Sequence, residues 1–163
     1  MKNLKRLSIQ KNEISDISVL SGLTELDFLE LSYNQITDAS PLSGLEKLSY
    51  LYLSYNQLSK VNLNSLPSLE GLWLRSNELT EVILSGMPNL GYLGLYENNL
   101  TSIDFLLDLQ GLAEVDVRVN QNLITNDAHY YDGVYYPRSQ AREVIETLKD
   151  RGVIILFAVV YPY

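Results

Sequence analysis

Cysteine is absent from this 163-residue chain, which excludes disulfide cross-links and thiol nucleophiles and leaves the redox compartment open. Histidine occurs once, as His129, and tryptophan once, as Trp73. No run of about 18 apolar residues occurs, so no segment reads as a membrane-spanning helix. The N-terminus lacks the basic-then-apolar order of a secretory signal. Positive charge is scarce: 12 basic residues face 20 acidic ones, a net charge of -8 that repels a phosphate backbone and disfavours nucleic acid as a partner. No linker, charge block or low-complexity tract divides the chain, and 46% hydrophobic residues are enough for one continuous core.

What is present is periodicity. Asn12, Asn34, Asn56, Asn77, Asn98 and Asn120 recur at steps of 22, 22, 21, 21 and 22 residues, each near the end of the pattern L-x-x-L-x-L-x-x-N-x-L. The blocks read LKRLSIQKNEI, LDFLELSYNQI, LSYLYLSYNQL, LEGLWLRSNEL, LGYLGLYENNL and LAEVDVRVNQN, the last with valine at two leucine positions. This is the signature of a leucine-rich repeat array. One such repeat cannot bury its own apolar side, so successive turns must stack into a solenoid with a shared core.

Side chains alternate faces along a strand, so the first, fourth and sixth positions of each block point inward and the third, fifth and seventh point outward. The strands of successive turns then lie about 4.8 Å apart in a parallel sheet that lines the concave side. Each asparagine sits where the chain leaves its strand and turns. Its amide, both donor and acceptor, suits backbone groups of its own and adjacent turns that would otherwise be buried unpaired. The six asparagines are read as structural rather than catalytic.

The return path of the first two turns carries Ile14, Ile17, Leu20 and Leu23, then Ile36, Ala39, Leu42 and Leu45, at a spacing of three that suits short 3₁₀ pieces. The third and fourth turns, KVNLNSLPSL and EVILSGMPNL, are one residue shorter and alternate like an extended outer strand. The motifs EISDISVLSGL and QITDASPLSGL resemble those of internalin-like bacterial leucine-rich repeat proteins, over about residues 4 to 123. The resemblance implies an α/β solenoid: a right-handed horseshoe with a parallel concave sheet, short 3₁₀ or extended convex segments, and a C-terminal helix-plus-strand cap.

Two regions are expected, a repeat array over 1–123 and a cap over 124–163 with a tyrosine-rich loop, a helix and a final strand. Within the cap, QAREVIETLKDRG places Ala141, Val144, Ile145 and Leu148 at helical spacing, Gly152 stops the helix, and VIILFAVVY reads as a seventh strand with Val153, Ile155 and Phe157 inward. At the other end Met1 precedes Leu4 by three residues, with no polar cap over the first turn. Solenoids need such caps, so the chain is expected to be part of a longer protein.

Inward positions are committed to the core, so function must be read from the outward ones. Phe28, Tyr50, Tyr52, Trp73, Tyr92 and Tyr96, with Tyr33 and Tyr55 at the eighth position, put eight aromatics on or beside the concave sheet. Exposed aromatics on that scale mark interaction surfaces, and tyrosine, tryptophan and arginine, here including Arg75, dominate interface hot spots. The competing reading is that aromatics simply suit strands and stack across them; Tyr33 and Tyr55 in the repeated LSYNQ are best read that way. Gly71 and Gly94 tip the remainder toward binding, since an outward glycine adds nothing to a strand. Gly71 falls between Tyr50 and Tyr92, and an opening about 10 Å wide is expected there, with Trp73 as one wall and largely solvated.

An enzyme is disfavoured. No outward strand position holds histidine, so no Ser-His-Asp set is available on this face. Glu30 stands about 19 Å, four strand spacings, from Glu114 and Asp116, too far for paired acid and base work on a glycosidic bond. His129 with Asp127 and Asp132 could ligate a metal, but a solvated loop histidine accounts for the same residues. No cofactor and no metal are expected.

The reading is a non-enzymatic recognition module, monomeric, that binds a partner protein through Phe28, Tyr50, Tyr52, Gly71, Trp73, Arg75, Tyr92, Gly94 and Tyr96. The resemblance implies a place in a larger bacterial surface or secreted protein concerned with adhesion. A carbohydrate-binding surface is the alternative, because tyrosine and tryptophan faces also stack on sugars; a passive spacer array is the third.

Overall fold

The computed structural model describes residues 3–117, 129–131, 134–136 and 139–156, with side chains described over 3–117 and 143–156. The strands run β1 (Arg6–Ser8), β2 (Phe28–Glu30), β3 (Tyr50–Tyr52), β4 (Lys60–Asn64), β5 (Gly71–Trp73), β6 (Glu81–Ser85), β7 (Tyr92–Gly94), β8 (Glu114–Asp116), β9 (His129–Tyr131), β10 (Val134–Tyr136) and β11 (Ile154–Leu156), with helix α1 (Ser139–Asp150) before the last. Seven of them form one sheet in the order β1-β2-β3-β5-β7-β8-β11. Every pairing in it is parallel, and the register keeps equivalent repeat positions side by side: Leu29, Leu51, Leu72, Leu93 and Val115 form one row. All five are 0% exposed. A slip of one residue would turn that whole row to solvent, so burial itself holds the register.

The core is a single cluster running the length of the solenoid, from Ile17 to Val153. Leu4, Leu7, Ile9 and Ile14 of the first turn are only partly buried against it, because a second turn covers them on one side.

The convex side switches geometry where the sequence does. Ser18–Gly22 and Ser40–Leu42 are 3₁₀, each burying one leucine, Leu20 or Leu42. In the third and fourth turns the convex segments are β4 and β6, paired in parallel with Val61 beside Val82 and Leu63 beside Leu84. All four are buried while Asn62 and Ile83 point out, the period-two pattern of a half-buried strand. The fifth turn returns to 3₁₀ at Asp104–Asp108.

At the C-terminal end α1 buries Val144, Ile145 and Leu148. Gly152 ends it at φ 80°, donating to Lys149 O at 2.8 Å while Val153 N–H donates to Leu148 O at 2.9 Å, a Schellman closure that needs a left-handed residue. The chain then enters β11, which pairs with β8 and sets Ile155 beside Val115. Arg151 ties this cap to the last turn by donating from its guanidinium to the carbonyls of Leu107 and Leu109. β9 and β10 form an antiparallel pair, His129 opposite Tyr136. Asp127, Asp132 and the side chains of His129, Tyr130, Tyr131, Tyr135, Tyr136 and Ala141 lie outside the described residues, as do Phe157, Arg118 and Asn120. Among the described residues no helix is long and apolar enough to cross a membrane.

Candidate protein-binding face

The asparagines determine how the concave face is hung. Asn56 is 8% exposed; its amide donates to Leu31 O of the preceding turn at 3.1 Å and to Leu53 O of its own at 3.0 Å, and its oxygen accepts from Ile36 N–H at 3.0 Å. Asn34, Asn77 and Asn98 repeat the arrangement, accepting from Ile14, Leu58 and Leu79. Asn12 is exposed and, among the described residues, donates only to Ile9 O and Gln10 O of its own turn. One residue before each of Asn12, Asn34, Asn56, Asn77 and Asn98 stands a positive φ, at Lys11, Tyr33, Tyr55, Ser76 and Glu97. Left-handed backbone is costly for such residues. At Lys11, Tyr33, Tyr55 and Ser76 it is held by a hydrogen bond to the next turn, as in Tyr33 N–H to Ser54 O at 2.9 Å and Tyr55 N–H to Arg75 O at 2.8 Å.

On this frame the outward rings form a shelf. Tyr52 and Trp73 stack with centroids 4.1 Å apart and planes 8° from parallel. Rings that near and parallel can only be face to face, because rings lying side by side in one plane would keep their centroids farther apart. Trp73 meets Tyr92 on its other side, at 5.0 Å and 30°. Phe28 extends the row, 5.5 Å from Tyr52, and the Arg6 guanidinium closes it 4.1 Å over the Phe28 ring. The rings of Tyr52, Trp73 and Tyr92 therefore stand like books across the strands, each half-buried, with Phe28 tilted at 46° beside them.

The glycines have a different purpose from the one expected. A Cβ on Gly71 would lie 2.5 and 2.6 Å from Cη2 and Cζ3 of Trp73, so the indole leans back along its own strand and occupies the position that was to be an opening. Gly71 is buried and Trp73 is partly buried rather than largely solvated. Gly94 likewise lies beneath Tyr92, whose Cε1 and hydroxyl are 3.2 Å from where its Cβ would be. Each glycine makes room for a ring two residues away on the same strand.

A second row runs beside the first. Tyr33 and Tyr55 stack at 4.2 Å and 8°. Lys11 Nζ lies 5.6 Å from the Tyr33 ring, and the Arg75 guanidinium lies 5.3 Å from Tyr55 and 4.4 Å from Tyr96. Arg75 also pairs with Glu97 at 3.5 Å. Glu97 is held below its ordinary value, first by the hydroxyl of Ser76, which donates to it. The Tyr50 hydroxyl donates to Glu70, and that bond raises its pKa. Tyr52 is also raised, by burial first and then by the charge of Glu30. Glu70 is a participant the repeat register did not single out, since it precedes its strand and meets Tyr50 only because neighbouring turns stack. Asp116, opposite Gly94, is buried, and Glu114 is partly exposed.

Several comparisons bear on this arrangement. A family model of leucine-rich repeats in two copies matches residues 2–44 and again 24–66. The functional domain of InlJ from Listeria monocytogenes, described as including a cysteine ladder, is 32% identical with a TM-score of 0.67, covering 72% of this chain and 26% of that one. Internalin C2 from Listeria monocytogenes is 32% identical with a TM-score of 0.62, covering 70% of this chain and 51% of that one. The LRIM1/APL1C complex contains a chain 31% identical with a TM-score of 0.64, covering 71% of this chain and 22% of that one. Curated protein sequences contain no match.

Stacked repeats, a parallel concave sheet and an asparagine at each turn define a leucine-rich repeat protein, a fold that typically serves protein interaction. More narrowly, its repeats are internalin-like, similar to those of internalins from Listeria monocytogenes over 70–72% of this chain. It spans about a quarter of the InlJ domain and about half of internalin C2.

Proposed function

We propose that this chain is a non-enzymatic recognition module that docks a partner protein across the shelf of Phe28, Tyr52, Trp73 and Tyr92, with Tyr50, Arg75 and Tyr96 beside it and Gly71 and Gly94 beneath. It acts as part of a larger surface or secreted bacterial protein. The observation that carries this reading is the shelf itself, centred on the sheet and built over two glycines that serve only to seat its rings. Large aromatics fixed in place present much contact area with little side-chain freedom left to lose on binding.

The same geometry weighs against the carbohydrate reading. Stacking on a sugar ring needs an open aromatic face, and both faces of Trp73 lie against tyrosines. A protein surface can pack against ring edges and the grooves between them.

The test compares the intact array with Trp73→Ala in capture from a surface-protein extract, followed by affinity measurement on each purified partner and a glycan microarray in parallel. A protein partner that binds the alanine variant weaker by about 2 kcal/mol or more is the expected result, the size of an interface hot spot. Glycan binding with no Trp73-dependent protein partner would overturn it.

A further inference from the structure

We infer that the concave face selects a basic segment of its partner: two lysine or arginine side chains on either side of an apolar residue, received by Glu30 and Glu114 at the two ends of the aromatic shelf. This rests on the protein-docking reading above and adds the chemistry of what is docked.

The argument is one of charges already paired and charges left over. The described cations of this face are engaged. Arg6 caps the Phe28 ring and lies 3.8 Å from the Asp27 carboxylate. Lys11 faces Tyr33, and Arg75 is held by Glu97, Tyr55 and Tyr96. The carboxylates are not matched in the same way. Among the described residues Glu30 accepts only the Ser32 N–H, at 2.8 Å, and Glu70 only the Tyr50 hydroxyl. Glu114 makes no hydrogen bond or ion pair with any described residue, and none of these three carboxylates has a described cation within 4.0 Å.

In the free protein water solvates these groups. A partner that covers the shelf removes that water, because Glu30 stands beside Tyr52 in the sheet register and Glu114 beside Tyr92. A carboxylate covered without a counter-charge is strongly unfavourable, whereas one covered by a lysine or arginine is not. The face thus rejects neutral and acidic surfaces and admits basic ones. The net charge of -8 works in the same direction at long range.

Spacing gives the pattern. β2 and β8 are four strand steps apart in the sheet, about 19 Å at 4.8 Å each, and Trp73 on β5 lies two steps from either. An extended partner strand advances about 3.3 Å per residue and alternates faces, so its basic residues fall roughly six apart on one face, with an apolar residue of that same face two from one of them and four from the other.

The test pans a displayed library of random peptides, about 12 residues long, against the intact array. It then measures the selected peptides by titration against the parent, Glu30→Gln, Glu114→Gln, the double glutamine variant and Trp73→Ala, with far-UV circular dichroism to verify that each is folded. Expected are peptides that need Trp73, carry two basic residues at the stated spacing, lose affinity roughly tenfold for each glutamine, and lose much of their salt dependence in the double variant. Trp73-dependent peptides with no basic preference, or with unchanged affinity for the double variant, would overturn the inference and leave the docking reading intact. Selection of nothing that depends on Trp73 would remove both.

Discussion

Alanine at Gly71 should unseat the tryptophan, and the effect is separable from any general dislike of a side chain on this strand. The new Cβ would stand 2.5 and 2.6 Å from two indole carbons and 3.4 Å from Cδ1 of Tyr50. Carbon atoms rest at about 3.5 to 4.0 Å, so the indole must withdraw by about 1 Å or rotate off Tyr52. Overpacking of that kind costs about 1 to 3 kcal/mol. Against it, alanine in place of a strand glycine recovers about 0.5 to 1 kcal/mol of chain entropy. The net expectation for Gly71→Ala is a loss of up to about 2.5 kcal/mol, with the near-ultraviolet circular dichroism of Trp73 altered and the far-ultraviolet spectrum kept. In a Trp73→Ala background nothing remains to clash, and the same substitution should stabilise by about 0.5 to 1 kcal/mol. Urea unfolding of the four proteins, followed in the far ultraviolet, gives the coupling directly. Equal effects of Gly71→Ala in both backgrounds would refute the claim that the glycine exists to seat the ring.

Replacing Asn56 by alanine should cost about 1 to 3 kcal/mol, since Ile36 N–H and the carbonyls of Leu31 and Leu53 lose their partner inside the fold. Asn12→Ala, at an exposed position bonded only within its own turn, should change stability by less than about 0.5 kcal/mol; thermal melts that rank the two alike would contradict the bridging role. Glu97 sets a pH signature: its carboxyl is lowered in the folded state, so its contribution is present above the ordinary value of 4.5 and disappears as pH falls through the lower folded value. The stability difference between the parent and Ser76→Ala, measured by denaturant unfolding at a series of pH values, should therefore be present at pH 7 and vanish in acid. A difference that grew toward low pH would reverse the assignment.

Much of this architecture is legible because its rules are local or strictly periodic. Strand alternation depends on a period of two, so the inward set of Leu29, Leu51, Leu72 and Leu93 and the outward set of Phe28, Tyr50, Gly71 and Tyr92 follow once the repeat is aligned. The change of convex geometry at Lys60–Asn64 and Glu81–Ser85 is visible as a missing residue and an alternating run. The asparagine register, the helix closed by Gly152 and the seventh strand are likewise set by residue type at a fixed offset.

The candidate face was legible only as a roster. Which way a ring leans is a rotamer chosen among neighbours on three strands, and no periodicity encodes it. From the register, Gly71 reads as a gap between Tyr50 and Tyr92; in the fold, Trp73 fills that gap from two residues along its own strand. The left-handed backbone at Lys11, Tyr33, Tyr55, Ser76 and Glu97 was equally hidden, as none of the five is the glycine or asparagine that such a conformation favours. At the first four of these, local preference is overruled by hydrogen bonds to the following turn, such as Lys11 N–H to Ser32 O and Ser76 N–H to Tyr96 O, both at 2.9 Å. The sequence by itself determined the repeat, the faces and the chemistry available on each, because those depend on residue type and spacing alone. Only the tertiary structure decided which aromatic faces stay open and which charges stay unpaired, because both are settled by side chains from different turns competing for the same few ångströms.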